Sequence, residues 1–286
     1  MTKLPTNIQQ PGPDGPAFSI AHTRTVEMDF IVPAGVSLAD SFTTEIQAQG
    51  LTGAYLRIIN ADMQKLHYVI PGLSPDNDHV AWYSRTYIPD MPGKIIEAGI
   101  ICGGYHDAAF YHCHGHLSDA RGSEFVGHLL PETCIPRHPV QIRGFGFLDA
   151  GFARVQDTQT GFELFMPEQI NAAPKDGDIL LRITPNVEIS APLIECCRGA
   201  GWDRAQVHGI GSIIGAHFAN GDILDSFATE LLITSGTVDL TQAAPVCDLD
   251  IILVGLGGSF KQGRLKAENN PVLITAEILL RPPNRD

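Results

Sequence analysis

Basic residues are scarce in this chain of 286 residues, which has 19 Lys and Arg against 32 Asp and Glu. The formal net charge is −13, and no run of Lys and Arg occurs along the sequence. Nucleic-acid-binding proteins normally present a basic face to phosphates. This composition therefore argues against DNA or RNA as a partner and favours a small molecule.

Long apolar runs and a cysteine framework are also missing. No stretch reaches the length of a membrane span, and the polar, proline-containing start predicts no signal peptide. The six cysteines are irregularly spaced, so we expect reduced thiols in a cytoplasmic protein. Hydrophobic residues make up 44% of the chain, which is enough for a substantial core.

Histidine, by contrast, is concentrated: five of the eleven lie within residues 106–128. On a strand, His112 and His114 would present their rings on one face, and a turn would bring His128 beside them. Three histidines leave one position of a tetrahedral zinc ion open, as catalytic zinc sites do. We predict a metal site for zinc or another divalent transition metal; the alternative is a cluster of mutually hydrogen-bonded, half-buried histidines.

The chain also repeats itself, with a period of about 140 residues that indicates a duplicated domain. The first copy has an apolar helical pattern that starts after Ser37 and stops at Gly50, and the second has a similar pattern that stops at Gly201. We predict three segments: a flexible N-terminal arm at residues 1–17, a first unit at 18–148 and a second unit at 149–286.

The second copy lacks the histidines of the first. In the alignment of the two copies, Asp248, Asp250 and Arg264 take the places of the three histidines. Arg cannot ligate a metal, so these residues are expected to form an ion pair. We therefore place the metal site in the first copy alone.

The histidine motif resembles that of one known family. It reads His-Cys-His-Gly-His-Leu-Ser-Asp at residues 112–119 and Gly-His-Leu-Leu at 127–130, and it is similar to prokaryotic members of the plants-and-prokaryotes-conserved (PPC) family. Val126 stands where that family usually has a first glycine. The resemblance covers nearly the whole chain as two tandem units.

The resemblance implies an α+β fold, with two tandem copies of a mainly antiparallel sheet packed with one principal helix. It also implies a homo-oligomer, a trimer, with zinc held by His112, His114 and His128. His116 falls on a non-motif position, and we keep it either as an alternative ligand or as a residue that hydrogen-bonds to one of the ligands. The DNA-binding label of the family belongs to plant members with a separate Arg-Gly-Arg-Pro-type segment, which is absent here.

A zinc ion with an open position lowers the pKa of bound water to about 7 and polarises carbonyl oxygens. We therefore expect a hydrolase or lyase that acts on a small carbonyl compound such as an ester or lactone. A PPC-type DNA-binding regulator and a non-catalytic small-molecule sensor are the alternatives. Glu97 and Glu124 are the candidate catalytic residues, whereas Asp119 fits turn chemistry.

Substrate-binding residues are predicted at Arg57, Arg85 and Tyr105. Arg57 lies in an apolar strand and aligns with His208 of the second copy, so the position is polar in both copies. A buried charged group needs a partner. That partner is either a substrate carboxylate or a neighbouring glutamate.

Overall fold

The computed structural model describes residues 4–76, 78–105 and 108–283. Two helices are present in these residues, α1 (Leu38–Ala48) and α2 (Ser190–Ala200), with short 3₁₀ turns at Pro131–Thr133 and Leu256–Gly258. The strands up to residue 169 are β1 (Phe18–Thr23), β2 (Thr25–Val32), β3 (Gly53–Lys65), β4 (Tyr68–Val69), β5 (Pro71–Gly72), β6 (Trp82–Tyr83), β7 (Gly93–Tyr105), β8 (Ala108–Ser118), β9 (Glu124–Leu129), β10 (Ile135–Pro136), β11 (Val140–Phe147), β12 (Ala150–Gln156) and β13 (Glu163–Gln169). The later strands are β14 (Asp178–Ile183), β15 (Arg204–Ile213), β16 (Ala216–His217), β17 (Ile223–Leu224), β18 (Thr229–Asp239), β19 (Val246–Gly255), β20 (Phe260–Arg264) and β21 (Val272–Arg281).

Two large sheets contain most of these strands. Sheet I has the order β2-β11-β3-β7-β8-β9-β4, with β10 on β3 and the β12–β13 pair beside β7. Sheet II has the order β1-β14-β21-β15-β18-β19-β20. Neighbouring strands are antiparallel except where β12 meets β7.

The two sheets pack face to face, and each carries one helix on its outer face. Side chains along β3 point alternately to the two faces of sheet I, and they show this arrangement. Leu56 lies in the core shared with α1, whereas its neighbour Tyr55 lies in the core between the sheets. On the other side, Leu193 of α2 packs on the outer face of sheet II. The layers therefore run α1, sheet I, sheet II, α2.

The predicted limits of the first helix are confirmed. Ser37 is the N-cap, and its Oγ accepts a hydrogen bond from the Asp40 backbone N–H at 3.1 Å. Gly50 and Gly201 follow α1 and α2 with φ of 64° and 71°, a conformation that glycine adopts without strain.

The predicted α+β class, with a principal helix on each sheet, is wrong. Strands dominate the described residues, and α1 and α2 span only 11 residues each. The physical reason is the core between the sheets, where Ile101, Leu232 and Ile252 bury the inner faces of the sheets against each other. Because one sheet covers the other, little apolar surface is left for helices to cover.

Strands next to residue 148 are exchanged between the sheets. β1 precedes sheet I in the chain but pairs with β14 at the edge of sheet II. β12 and β13 follow residue 148 but lie with sheet I. Before β1, the Ile8 backbone N–H donates to Asn186 Oδ1 at 2.8 Å, and buried Gln10 donates to the Leu273 carbonyl.

No helix of the described residues has the length and apolar character to cross a membrane.

The His208 ring packs against residues of the core between the sheets. Its centroid lies 5.3 Å from those of Tyr55 and Phe145. Burial, and then the charges of Arg57 and Arg281, lower the pKa of His208 to about 4. The ring is therefore neutral in the folded protein at pH 5, where an exposed histidine is protonated.

We predict that His208 makes folding less favourable as the pH falls from 7 to 5. The unfolded chain binds a proton on this ring at about pH 6.5, whereas the folded protein does not, so protonation favours unfolding. In His208→Phe, the pH-dependent loss in the free energy of unfolding should be smaller by roughly 2 kcal/mol. Urea unfolding at both pH values, with a chelator present, measures this; an equal loss in both proteins would contradict it.

Candidate metal centre

Three histidines converge on the inner face of sheet I, as the sequence pattern predicts. His114 of β8 lies directly opposite His128 of β9, and His112 is two residues away on the same face. One ligand atom of each ring lies within 4.8 Å of the others. Cys113 points to the other face, where it is buried in the core with α1.

Hydrogen bonds from sheet II fix the proton positions on two of the rings. His114 Nδ1 lies 2.7 Å from the Leu231 carbonyl oxygen, which can only accept, so this nitrogen carries the hydrogen. His112 Nδ1 donates in the same way to Glu277 Oε2 at 2.8 Å. The Nε2 atoms of both rings are left with lone pairs that face each other at 3.1 Å.

Two facing lone pairs at this distance require a cation between them, either a proton or a metal ion. With zinc–nitrogen bonds of about 2.05 Å, tetrahedral geometry separates two ligand nitrogens by roughly 3.3 Å. The observed spacing of His112 and His114 is close to this value. The donor set therefore fits a divalent transition metal.

His128 supplies the third ring. Its Nδ1 is buried without a hydrogen-bond partner, an arrangement that costs about 1–3 kcal/mol for an ordinary polar atom. Burial, and then the neighbouring His112, lower the pKa of His128 to about 3. Burial likewise lowers the pKa of His114 well below its ordinary value. Both rings are therefore neutral near pH 7, as metal ligands must be.

A buried chain of polar groups in sheet II supports His112. Glu277 Oε1 accepts from the Thr275 hydroxyl at 2.9 Å, and this hydroxyl accepts from Arg182 Nε at 3.4 Å. Arg182 also contacts Asp157 at 3.1 Å. Carboxylates that accept from a ligand histidine orient the ring and raise its basicity, and Glu277 is placed for this role.

A cavity of about 70 Å³ adjoins the histidines between the two sheets. His112, His114 and Glu230 are among its lining residues, and so are the aromatic residues Trp82, Tyr83 and Phe162. The cavity therefore gives a small molecule access to the centre.

Sequence reasoning missed Glu230 as a functional residue. Its Oε2 is buried without a partner, and burial raises its pKa to about 8, opposed by a hydrogen bond from the His128 backbone N–H. In the alignment of the two copies, Glu230 matches Glu97, and this match could have marked Glu230 as a second candidate carboxylate. The alignment could not reveal that the glutamate of the second copy faces the histidines of the first.

Arg57 and Glu97 form an ion pair with each other, outside the residues that line the cavity. Arg57 Nη1 also donates to the Thr234 carbonyl at 3.0 Å. Of the two partners left open for Arg57, the structure has the neighbouring glutamate.

The other predicted site residues lie apart from the three histidines. His116 contacts Glu124 at 2.8 Å, and neither lines the cavity. The Arg85 guanidinium lies 5.6 Å from the centroid of the Tyr87 ring. Tyr105 ends β7, and its side chain lies outside the described part of the chain.

Two expectations about polar residues near the motif are confirmed. Asp119 closes the turn before β9, where its Oδ1 accepts from two backbone N–H groups at 2.8 and 2.9 Å. In the second copy, Arg264 pairs with Asp248 at 3.1 Å and with Asp250 at 2.9 Å.

No protein-family model matches the chain, and no curated protein matches its sequence. Among solved structures, it is similar to a metal-containing protein from Archaeoglobus fulgidus, with 16% identity and a TM-score of 0.40, over 52% of this chain and 97% of that one. It is also similar to a PPC protein from Pyrococcus horikoshii, with 17% identity and a TM-score of 0.38, over 54% and 97% of the two chains. A protein from Ralstonia eutropha described as a candidate for DNA binding has 12% identity and a TM-score of 0.39, over 48% and 89%.

We predict that Glu277→Gln weakens metal binding by about 10–100-fold, because the variant loses the negative charge that makes His112 a stronger donor. Competition with a chromophoric chelator measures the dissociation constant of zinc. Glu124→Gln is the matched control, since it removes a carboxylate that contacts only the non-motif His116 among the histidines. Equal zinc affinity in Glu277→Gln and the unchanged protein would contradict the role of Glu277.

Proposed function

We propose that this chain is a metal-dependent enzyme, a hydrolase or lyase, that acts on a small carbonyl compound such as an ester or lactone. A divalent ion, zinc in the first instance, would be held by His112, His114 and His128. One observation carries the proposal: the two Nε2 atoms at 3.1 Å, both with lone pairs because their Nδ1 atoms donate to sheet II.

A divalent ion in such a site acts as a Lewis acid toward a carbonyl oxygen and makes water more acidic. The chain itself supplies orientation and exclusion of bulk water. Glu277 and the Leu231 carbonyl hold two imidazoles in one tautomer, and apolar side chains cover the cavity beside them. Donors held in this way beside a mostly apolar lining are preorganised for a reaction and need little rearrangement.

Glu230 is the best-placed carboxyl group for proton transfer in this site. It lines the cavity together with His112 and His114, and its Oε2 has no hydrogen-bond partner. Glu97 and Glu124, by comparison, are engaged with Arg57 and His116. We therefore assign to Glu230 the general acid–base role that the sequence offered to the other two.

The first test is the metal content of the protein, purified without chelators and measured by plasma mass spectrometry. We expect about one zinc or other divalent transition metal per chain, as a single three-histidine site requires. The double variant His112→Ala/His114→Ala should lose the metal, whereas His116→Ala, the matched control, should retain it. A protein without stoichiometric metal would overturn the proposal.

A second test addresses Glu230 directly. In a screen of uncharged esters and lactones, Glu230→Gln should keep the metal and lower kcat by about 10²–10⁴-fold, the usual contribution of a general acid–base residue. Glu97→Gln is the control and should retain activity unless folding is lost. Full activity of Glu230→Gln would exclude the assigned role.

Metal without turnover of any compound in the screen would favour the non-catalytic sensor. The DNA-binding alternative needs a basic surface, and the net charge of −13 disfavours it. The trimer and the cytoplasmic location remain predictions from the sequence.

A further inference from the structure

We infer that the cavity beside the histidines takes an uncharged, flat and mostly apolar small molecule with a single carbonyl group, such as an aromatic amide or ester. This inference rests on the proposed function, because it specifies the substrate class of the same site. Three independent features of the cavity support it: the aromatic walls, the charge of the lining, and the distribution of free polar atoms.

The walls of the cavity are aromatic. Trp82 of β6 and Phe162, in the turn between β12 and β13, stack with their ring centroids 5.2 Å apart and an interplanar angle of 24°. His79 packs against both at 4.5 Å, and Tyr83 lies edge-on to His128 at 5.2 Å. Flat aromatic faces favour a flat partner, which can stack or meet them edge to face.

The lining carries no positive side chain. None of the described residues that line the cavity is Lys or Arg, whereas Glu230 is among them and Glu277 lies directly behind His112. Arg182 is engaged with Asp157 and does not reach the cavity. An anionic ligand would lose its hydration without gaining an ion pair with the protein, so the chain's own side chains disfavour it.

Most polar groups of the lining are already used within the protein. The Thr229 hydroxyl donates to the Ile213 carbonyl at 2.7 Å, and the Thr275 hydroxyl donates to Glu277. The Ser212 hydroxyl accepts from the Ile274 N–H at 3.0 Å. Among the described lining residues, the buried side-chain atom without a hydrogen-bond partner is Glu230 Oε2, and His112 and His114, with their facing Nε2 atoms, line the same cavity. The other polar side-chain atoms of this lining without a partner among the described residues belong to the partly exposed Trp82 and Tyr83. A ligand therefore needs one polar group at one end and an apolar body.

The volume of the cavity limits how such a ligand lies. At about 70 Å³ it is roughly half the size of the cavity of about 150 Å³ that holds benzene in another protein. The ring of the ligand must therefore extend beyond this volume toward solvent, along the lining residues Trp82 and Tyr83, which are 39% and 43% exposed. The carbonyl group then points toward the histidines and Glu230.

Fluorescence of Trp82 provides a direct measure of binding. The chain has two tryptophans, and Trp202 is buried in the core around α2, so Trp202→Phe leaves Trp82 as the reporter. Metal-free protein is titrated with benzamide, with acetamide, which lacks the flat apolar body, and with benzoate, which is anionic. We expect saturable quenching by benzamide, with a Kd at least tenfold lower than for either comparison. A preference below tenfold over either one would overturn the inference.

A pair of variants in the same background tests the aromatic wall. Phe162→Leu keeps an apolar side chain but removes the ring that stacks on Trp82, and it should raise the Kd of benzamide at least fivefold. Leu73→Ala is the control: Leu73 follows β5 and is 71% exposed, and its removal should leave the Kd unchanged. An unchanged Kd in Phe162→Leu would overturn the inference; if this variant fails to fold, the three-ligand comparison decides alone.

The two proposals can fail separately. The titrations use metal-free protein, so the benzamide preference does not depend on whether a metal is bound in the purified chain. A protein that lacks metal but prefers benzamide contradicts the proposed function and supports the pocket. A protein with one metal per chain and no benzamide preference contradicts only the substrate class.

Discussion

The structure of the site depends on the contact between the inner faces of the two sheets. Ile101 of sheet I packs there with Leu232 and Ile252 of sheet II, all fully or almost fully buried. This packing brings the Leu231 carbonyl to His114 and Glu277 to His112. Without it, both rings could rotate and change tautomer, and the two Nε2 atoms would not be held opposite each other.

The duplication predicted from the sequence is consistent with the asymmetry of this site. The first copy supplies the three histidines, and the second supplies the groups that orient them and the carboxyl group beside them. At the matching positions of the second copy, Arg264 neutralises Asp248 and Asp250 in an exposed ion-pair network. Each sheet therefore completes the other, and neither copy contains the whole arrangement. β1 pairs within sheet II and the β12–β13 pair lies with sheet I, so strands on either side of residue 148 connect the two sheets.

Local features of the site could be predicted from the sequence, because they depend on residues that are close in the chain. The alternation that puts His112 and His114 on one face, the Ser37 cap and the Asp119 turn all belong to this class. The proximity of Glu230 and Glu277 to the histidines could not be predicted, since they are more than 100 residues away in the chain and reach the histidines only through packing of the sheets. The partner of Arg57 was left open for the same reason. The predicted fold class is wrong because an amphipathic pattern indicates that a helix is present but does not indicate how much of the sheet surface this helix covers.

The choice between a proton and a metal ion at the two Nε2 atoms follows from burial. A shared proton would place a positive charge on an imidazole pair in which burial already holds the pKa of His114 well below its ordinary value. The nearby charge of Glu277 compensates this cost only in part, because Glu277 contacts the other ring. A divalent ion would be held by His112, His114 and the neutral ring of His128 together, whereas a proton is shared by two nitrogens at most. Near pH 7 these residues therefore fit the proposed metal ion better than a shared proton, because the burial that disfavours protonation keeps the histidine lone pairs available.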